Sequence, residues 1–167
     1  MDLVDSALAA LYVLLGFGLS AAWDRYRRRV DHRDERSRIL KMIELEIQDN
    51  AYTSRDVGGF LEKGEVTSIT TIPPLKDRGV DVAIANWSLL ALSEEAAKWL
   101  SAMYLLTDGI NGVVRARELF QLTMMSLSTY GQIMSAFQTT LREKYRQYVK
   151  DHEQFKAAWF KLEPYPG

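Results

Sequence analysis

The side chains in this 167-residue chain best spaced for chemistry are carboxylates. Glu44, Glu46 and Asp49 crowd the stretch IELEIQDN, and Asp77 and Asp81 stand one helical turn apart in KDRGVD. Pairs of this kind support acid–base steps or magnesium binding when they are buried together. Placed between apolar positions of an amphipathic helix, as these are, carboxylates ordinarily mark the solvated face. Only His32 and His152 are available as imidazoles, and neither stands in a Glu-x-x-His or His-x-x-x-His spacing that sets two ligands on one helix face. Both have charged sequence neighbours and are predicted to face solvent. With no cysteine a Cys–His nucleophile is excluded, and Gly58-Gly59 and Gly109-x-x-Gly112 lack the lysine and strand that make a phosphate loop. No catalytic set, no metal site and no cofactor are expected.

Three asparagines, Asn50, Asn86 and Asn111, each adjoin apolar stripe positions. A buried asparagine needs partners for its amide and can set the register of helix packing, so capping or register is the role predicted for them. Tyr104 and Asn111, two turns apart, are placed to face the same neighbour.

The elements that must hold these residues read as helices. Ile39, Met42, Ile43 and Ile47 form one apolar stripe, which Gly58-Gly59 is expected to end through a left-handed cap. Residues 60–74 read as a connection, with a β-branched stretch at 66–72 that could be extended and Pro73-Pro74 closing it. A short helix is predicted from Leu75 to Asn86, with Val80, Ile84 and Trp87 on or near one side. Ser93 is placed as an N-cap with Glu94 and Glu95 behind it. A long stripe then runs Trp99, Met103, Leu106, Ile110, Val113, Phe120, Met124, interrupted at Arg117. After a turn at 126–131 a second follows through Tyr130, Met134, Phe137, Leu141, Tyr145, Tyr148, Phe155, Trp159 and Leu162, ending before Pro164. Two long amphipathic helices joined by a short turn pack antiparallel. The expected fold is all-α: one N-terminal transmembrane helix continuing into a stalk, then a three-to-four-helix antiparallel bundle.

The transmembrane assignment rests on eighteen consecutive uncharged residues, Ser6 to Trp23, followed by four arginines in five positions: Arg25, Arg27, Arg28 and Arg29. At about 1.5 Å per residue the run spans roughly 27 Å, close to a hydrocarbon core about 30 Å thick. A cleaved signal peptide would carry its basic residues before the apolar run, whereas here Asp2 and Asp5 precede it. Residues 1–23 carry a charge of −2, residues 24–41 carry +4, and residues 42–167 carry −3. The positive-inside bias therefore predicts a short N-terminus outside and a cytoplasmic C-terminal domain. Three segments result: an anchor over 1–23, a basic juxtamembrane neck over 24–38 and a helical domain over 39–167. Trp23 and the four arginines are the expected contacts with the membrane surface. Gly16 with Ser20, and Gly18 with Ala22, lie four apart and would let a second helix approach closely. The basic block does not continue into the acidic domain, so nucleic acid is not an expected partner.

The order of anchor, basic neck, LKMIELEIQDN, the proline-led PPLKDRGVDVAIANW and a helical hairpin resembles a loose group of uncharacterised single-pass prokaryotic membrane proteins with a small cytoplasmic helical domain. The resemblance covers residues 5–115 and implies no activity.

The function these features favour is a non-enzymatic membrane-anchored interaction protein, an accessory or assembly subunit of a membrane complex or a homo-oligomer. Its partners would be the bilayer and another membrane protein or itself. The alternative is a membrane-tethered sensor whose helical domain binds a small ligand or nucleotide; a tethered enzyme using the carboxylates ranks third.

Overall fold

A computed structural model describes residues 3–64, 71–124 and 128–161, with residues 3–14, 16 and 80 described by their backbone alone. The described chain is all-helical, with five helices: α1 (Leu3–Glu62), α2 (Arg78–Ala85), α3 (Trp87–Leu90), α4 (Glu94–Thr123) and α5 (Tyr130–Trp159). It divides into two units, Met1–Arg38 and Ile39–Gly167, and α1 contributes to both.

The first unit is one stretch of α1. Its side chains from Leu15 to Glu35, Gly16 aside, are exposed, among them Phe17, Leu19, Trp23 and Tyr26. Trp23 and Tyr26 lie one turn apart with ring centroids at 5.9 Å. Among the described residues no helix is long and apolar enough to cross a membrane. Most of the uncharged run from Ser6 lies where only the backbone is described.

The second unit is a helical bundle built on the last part of α1, α4 and α5. Ile39, Ile43 and Ile47 are buried from α1, with Leu40 and Ala51 beside them, while Met42 stays at the edge. Each buried isoleucine or leucine contributes about 1.5–3 kcal/mol of transfer free energy. The helix does not stop at Gly58-Gly59 as its glycines suggested. Gly58 is buried at the α5 seam, where a Cβ would lie 3.7 Å from the Tyr145 Cβ, and the turn that ends α1 has Gly64 at φ +70°. Packing outweighs the helix penalty of about 1 kcal/mol for a glycine.

Ser93 caps α4, its Oγ accepting from the Ala96 N–H at 3.2 Å, with Glu94 and Glu95 in the first turn. α4 and α5 run antiparallel: Phe120 sits against Tyr130 and Phe137 near the connection, and Glu95 meets Lys161 at 3.5 Å at the far end. On α4 the buried row is Ala96, Leu100, Met103, Thr107, Ile110, Asn111, Val114 and Arg117. Arg117, which interrupts the apolar stripe in the sequence, is fully buried. On α5, Met134, Leu141, Tyr145, Tyr148, Phe155 and Trp159 are buried as the periodicity predicts, and so is His152. Leu162 and residues 65–70, most of the stretch read as extended, lie outside the described residues.

Thr71–Asp77 has no regular secondary structure. The short helix begins at Arg78, three residues later than its apolar pattern implied. Ile72 and Leu75 plug this connection into the core, whereas Ile84 and Trp87, read as stripe residues, are 68% and 48% exposed. Ala83 and Leu90 are the apolar side chains that α2 and α3 bury instead.

Candidate functional site

Three polar side chains converge on the connection before α2. From α1, Asn50 takes Lys76 by both backbone groups: its Nδ2 donates to the Lys76 carbonyl at 2.7 Å, and its Oδ1 accepts from the Lys76 N–H at 2.7 Å. From α4, Asn111 treats the preceding residue identically, accepting from the Leu75 N–H at 2.8 Å and donating to the Leu75 carbonyl at 2.9 Å. Both asparagines are 2% exposed. A primary amide offers one donor edge and one acceptor edge side by side, which is what a strand neighbour would offer an extended residue. The two asparagines therefore supply the pairing that this non-helical stretch lacks within itself.

The third group is Glu46, one turn before Asn50 on α1. Both its carboxylate oxygens accept from the Gly79 N–H at 2.9 Å. Asp77, the residue before α2, makes no side-chain cap, so Glu46 serves the helix start from another element. Burial raises the Glu46 pKa above the usual carboxylate value, the Gly79 hydrogen bond opposes this, and Asp77 adds to it. Gly79 is the residue that permits the approach: a Cβ there would stand 2.5 Å from the Tyr104 hydroxyl and 2.8 Å from Glu46 Oε1. The neighbouring Asp49 holds the Lys76 ammonium at 2.7 Å on the surface.

Tyrosines close the interior side of this cluster. The Tyr104 hydroxyl is buried with no hydrogen-bond partner among the described residues, and burial, with Glu46 next, drives its pKa upward. Tyr148 lies buried beside Thr107 and Asn50; burial pushes its pKa up to about 12, with the two polar neighbours pulling the other way. These groups stay neutral and protonated at physiological pH.

The acidic residues singled out in the sequence are thus not one site. Glu46 serves a backbone amide, Glu44 pairs with Lys41 at 3.2 Å, and Asp77 and Asp81 border a groove that Tyr104 also lines. Among the described residues no group of three or more His, Asp or Glu side chains could hold a metal ion. Asn86, the third asparagine, is half-buried and closes α2: its Nδ2 and its backbone N–H both donate to the Val82 carbonyl, at 2.9 and 3.1 Å. Asn50 and Asn111 hold a loop rather than the register of one helix on another.

Two grooves open on the second unit. One, of about 450 Å³ between α2 and α4, has Asp77, Asp81 and Asp108 around Ile84, Trp87 and Leu105. The other, of about 350 Å³, lies between α1 and α5 and includes His152. Predicted to be solvated, His152 is only 7% exposed. Charged sequence neighbours misled that reading, although the α5 stripe jumps seven residues from Tyr148 to Phe155 and His152 fills the missing turn.

In the first unit, Trp23, Arg25, Arg27, Arg28 and Arg29 are exposed along α1. Gly18, Ser20 and Ala22 are exposed too, and a Cβ at Gly18 would meet nothing within 4 Å; Gly16 lies outside the residues described beyond their backbone. No family model, curated protein or solved structure matches this chain.

Proposed function

We propose that the chain is a membrane-anchored interaction protein without catalytic machinery, an accessory or assembly subunit of a membrane complex or of a homo-oligomer. One observation carries this reading. Leu15, Phe17, Leu19 and Trp23 are 54–73% exposed on a continuous helix, with nothing else in the described chain covering them. Apolar helical surface of this kind is accommodated by lipid or by another helix, since every backbone group is satisfied within the segment.

The sequence around it supports the same conclusion. The uncharged run Ser6–Trp23 is of bilayer length, and the arginines at 25, 27, 28 and 29 follow it directly. That order favours an orientation with the residues before the run outside and those after it on the cytoplasmic side. Gly16, Gly18, Ser20 and Ala22 offer a close approach for a second membrane helix. In the second unit, the half-buried carboxylate and the buried amides that could have served chemistry are engaged with Gly79, Leu75 and Lys76. Such a unit presents surfaces rather than a reaction centre.

Crosslinking of the intact protein in its native membranes tests the proposal. Adducts with a second copy or with one defined membrane protein are expected. A product that remains monomeric, with no adduct at any crosslinker length, would contradict it.

A further inference from the structure

The groove between α1 and α5 combines three features. Its floor is aromatic: Phe155 and Trp159 are buried with ring centroids at 4.8 Å, and Tyr52 and Phe160 stand exposed at its edges. Its rim carries one cation from each helix, Arg55 and Lys156, and among the described residues neither pairs with a carboxylate. Inside lies His152, more than nine-tenths buried, whose Nδ1 has no hydrogen-bond partner among the described residues.

An exposed arginine or lysine is ordinarily solvated and signifies nothing by itself. These two differ because both bear on the same buried imidazole: burial lowers the His152 pKa most, Glu153 beside it raises it, and Lys156 and Arg55 each lower it. The acidic side chains of the groove offset the two cations only in part, because one of the two carboxylates is paired elsewhere. Glu44 is engaged with Lys41 at 3.2 Å, and Glu153 is exposed with an oxygen 3.8 Å from His152 Nδ1, beyond hydrogen-bond reach. With Glu44 paired to Lys41, two cations face one carboxylate around a concave, ring-lined space. Its volume of about 350 Å³ lies within the range of small-molecule pockets.

We propose that this groove binds a small anionic aromatic molecule, a planar ring bearing a carboxylate or a phosphate. The ring lies against Phe155 and Trp159, the anion is held by Arg55 and Lys156, and the neutral imidazole of His152 supplies the hydrogen bond that orients it. The inference does not depend on the membrane anchor. It identifies where ligand sensing would enter a chain proposed above as an interaction protein.

The intact protein in lipid nanodiscs, with histidine labelled at Cε1, allows a direct test by NMR, because the chain has two histidines and exposed His32 is the internal reference. The probes are adenosine monophosphate and 2-naphthoate, with adenosine and inorganic phosphate as controls. At least one probe should shift His152 saturably while leaving His32 unmoved. Arg55→Ala and Lys156→Ala, both at exposed positions that leave the core intact, should each weaken that probe about tenfold or more. Silence of His152 toward both probes up to about 10 mM would overturn the proposal. So would adenosine or phosphate alone matching adenosine monophosphate, or undiminished binding in both variants.

Discussion

Asn50 and Asn111, on α1 and α4, grip consecutive residues of one loop. Each uses its amide donor and acceptor on a single residue, Lys76 for Asn50 and Leu75 for Asn111, at 2.7–2.9 Å. The pair makes the loop a structural member of the bundle and links two helices through its main chain. Asn111→Ala leaves the Leu75 N–H and carbonyl buried without partners, at about 1–3 kcal/mol for each group. A loss of roughly 2–5 kcal/mol in urea unfolding is expected, with faster hydrogen exchange of the Leu75 amide. Asn50→Ala should cost less, about 1–3 kcal/mol, because Lys76 is partly solvated.

Gly79 sits where a methyl group would strike the Tyr104 hydroxyl and Glu46. Gly79→Ala should therefore destabilise by about 1–3 kcal/mol. Tyr104→Phe removes a buried hydroxyl that has no partner among the described residues, so alone it should be nearly neutral. Combined with Gly79→Ala it should recover part of the loss. A double-mutant cycle on thermal unfolding reads that coupling.

The raised pKa of Glu46 has a definite sign in the pH dependence of stability. Between the ordinary carboxylate value and the higher native one, the native state holds a proton that the unfolded chain has released. Stability contributed by this group is then present at low pH and declines as pH rises through that window. Glu46→Gln cannot ionise and retains an oxygen for the Gly79 N–H. Its urea midpoint relative to the parent should improve from about pH 4 to about pH 7. His152 acts in the opposite sense. Its lowered pKa favours the neutral imidazole in the fold, so its contribution is lost as pH falls from the ordinary histidine value through the native one.

Ala91 ends α3 in the left-handed region, at φ 44° and ψ 50°, and it is exposed. A Cβ in that conformation costs about 1–2 kcal/mol, whereas glycine gives back part of the difference through its freer unfolded state. Ala91→Gly should stabilise by roughly 0.5–1 kcal/mol, read as a rise in Tm.

Much of the helical plan is legible in the chain because it is local. The spacing of Ile39, Ile43 and Ile47, the Ser93 cap and the four–three steps through Leu141, Tyr145 and Tyr148 each need only neighbouring residues to interpret. What escaped depends on contacts distant in sequence. Gly58 looks like a stop until Tyr145 is seen beside it, and Glu46 looks solvated until Gly79 is placed against it. The late start of α2 follows from asparagines 26 and 36 residues away holding the loop before it. Charged neighbours hid His152, and Arg117 read only as a break in the stripe, since the burial of a polar side chain is decided by the partner helix and not by flanking residues.

The proposed anchor near the N-terminus, with the chain after it on the cytoplasmic side, is open to a direct topology measurement. Because the chain lacks cysteine, single cysteines report topology without background. Asp2→Cys and, separately, Ser135→Cys at an exposed position of α5 would be labelled in intact cells with a membrane-impermeant maleimide. Labelling is expected at position 2 before permeabilisation and at position 135 only afterwards, with both variants retained in the carbonate-washed membrane fraction. Labelling at position 135 in intact cells, or release of the protein into the soluble fraction, would contradict that topology.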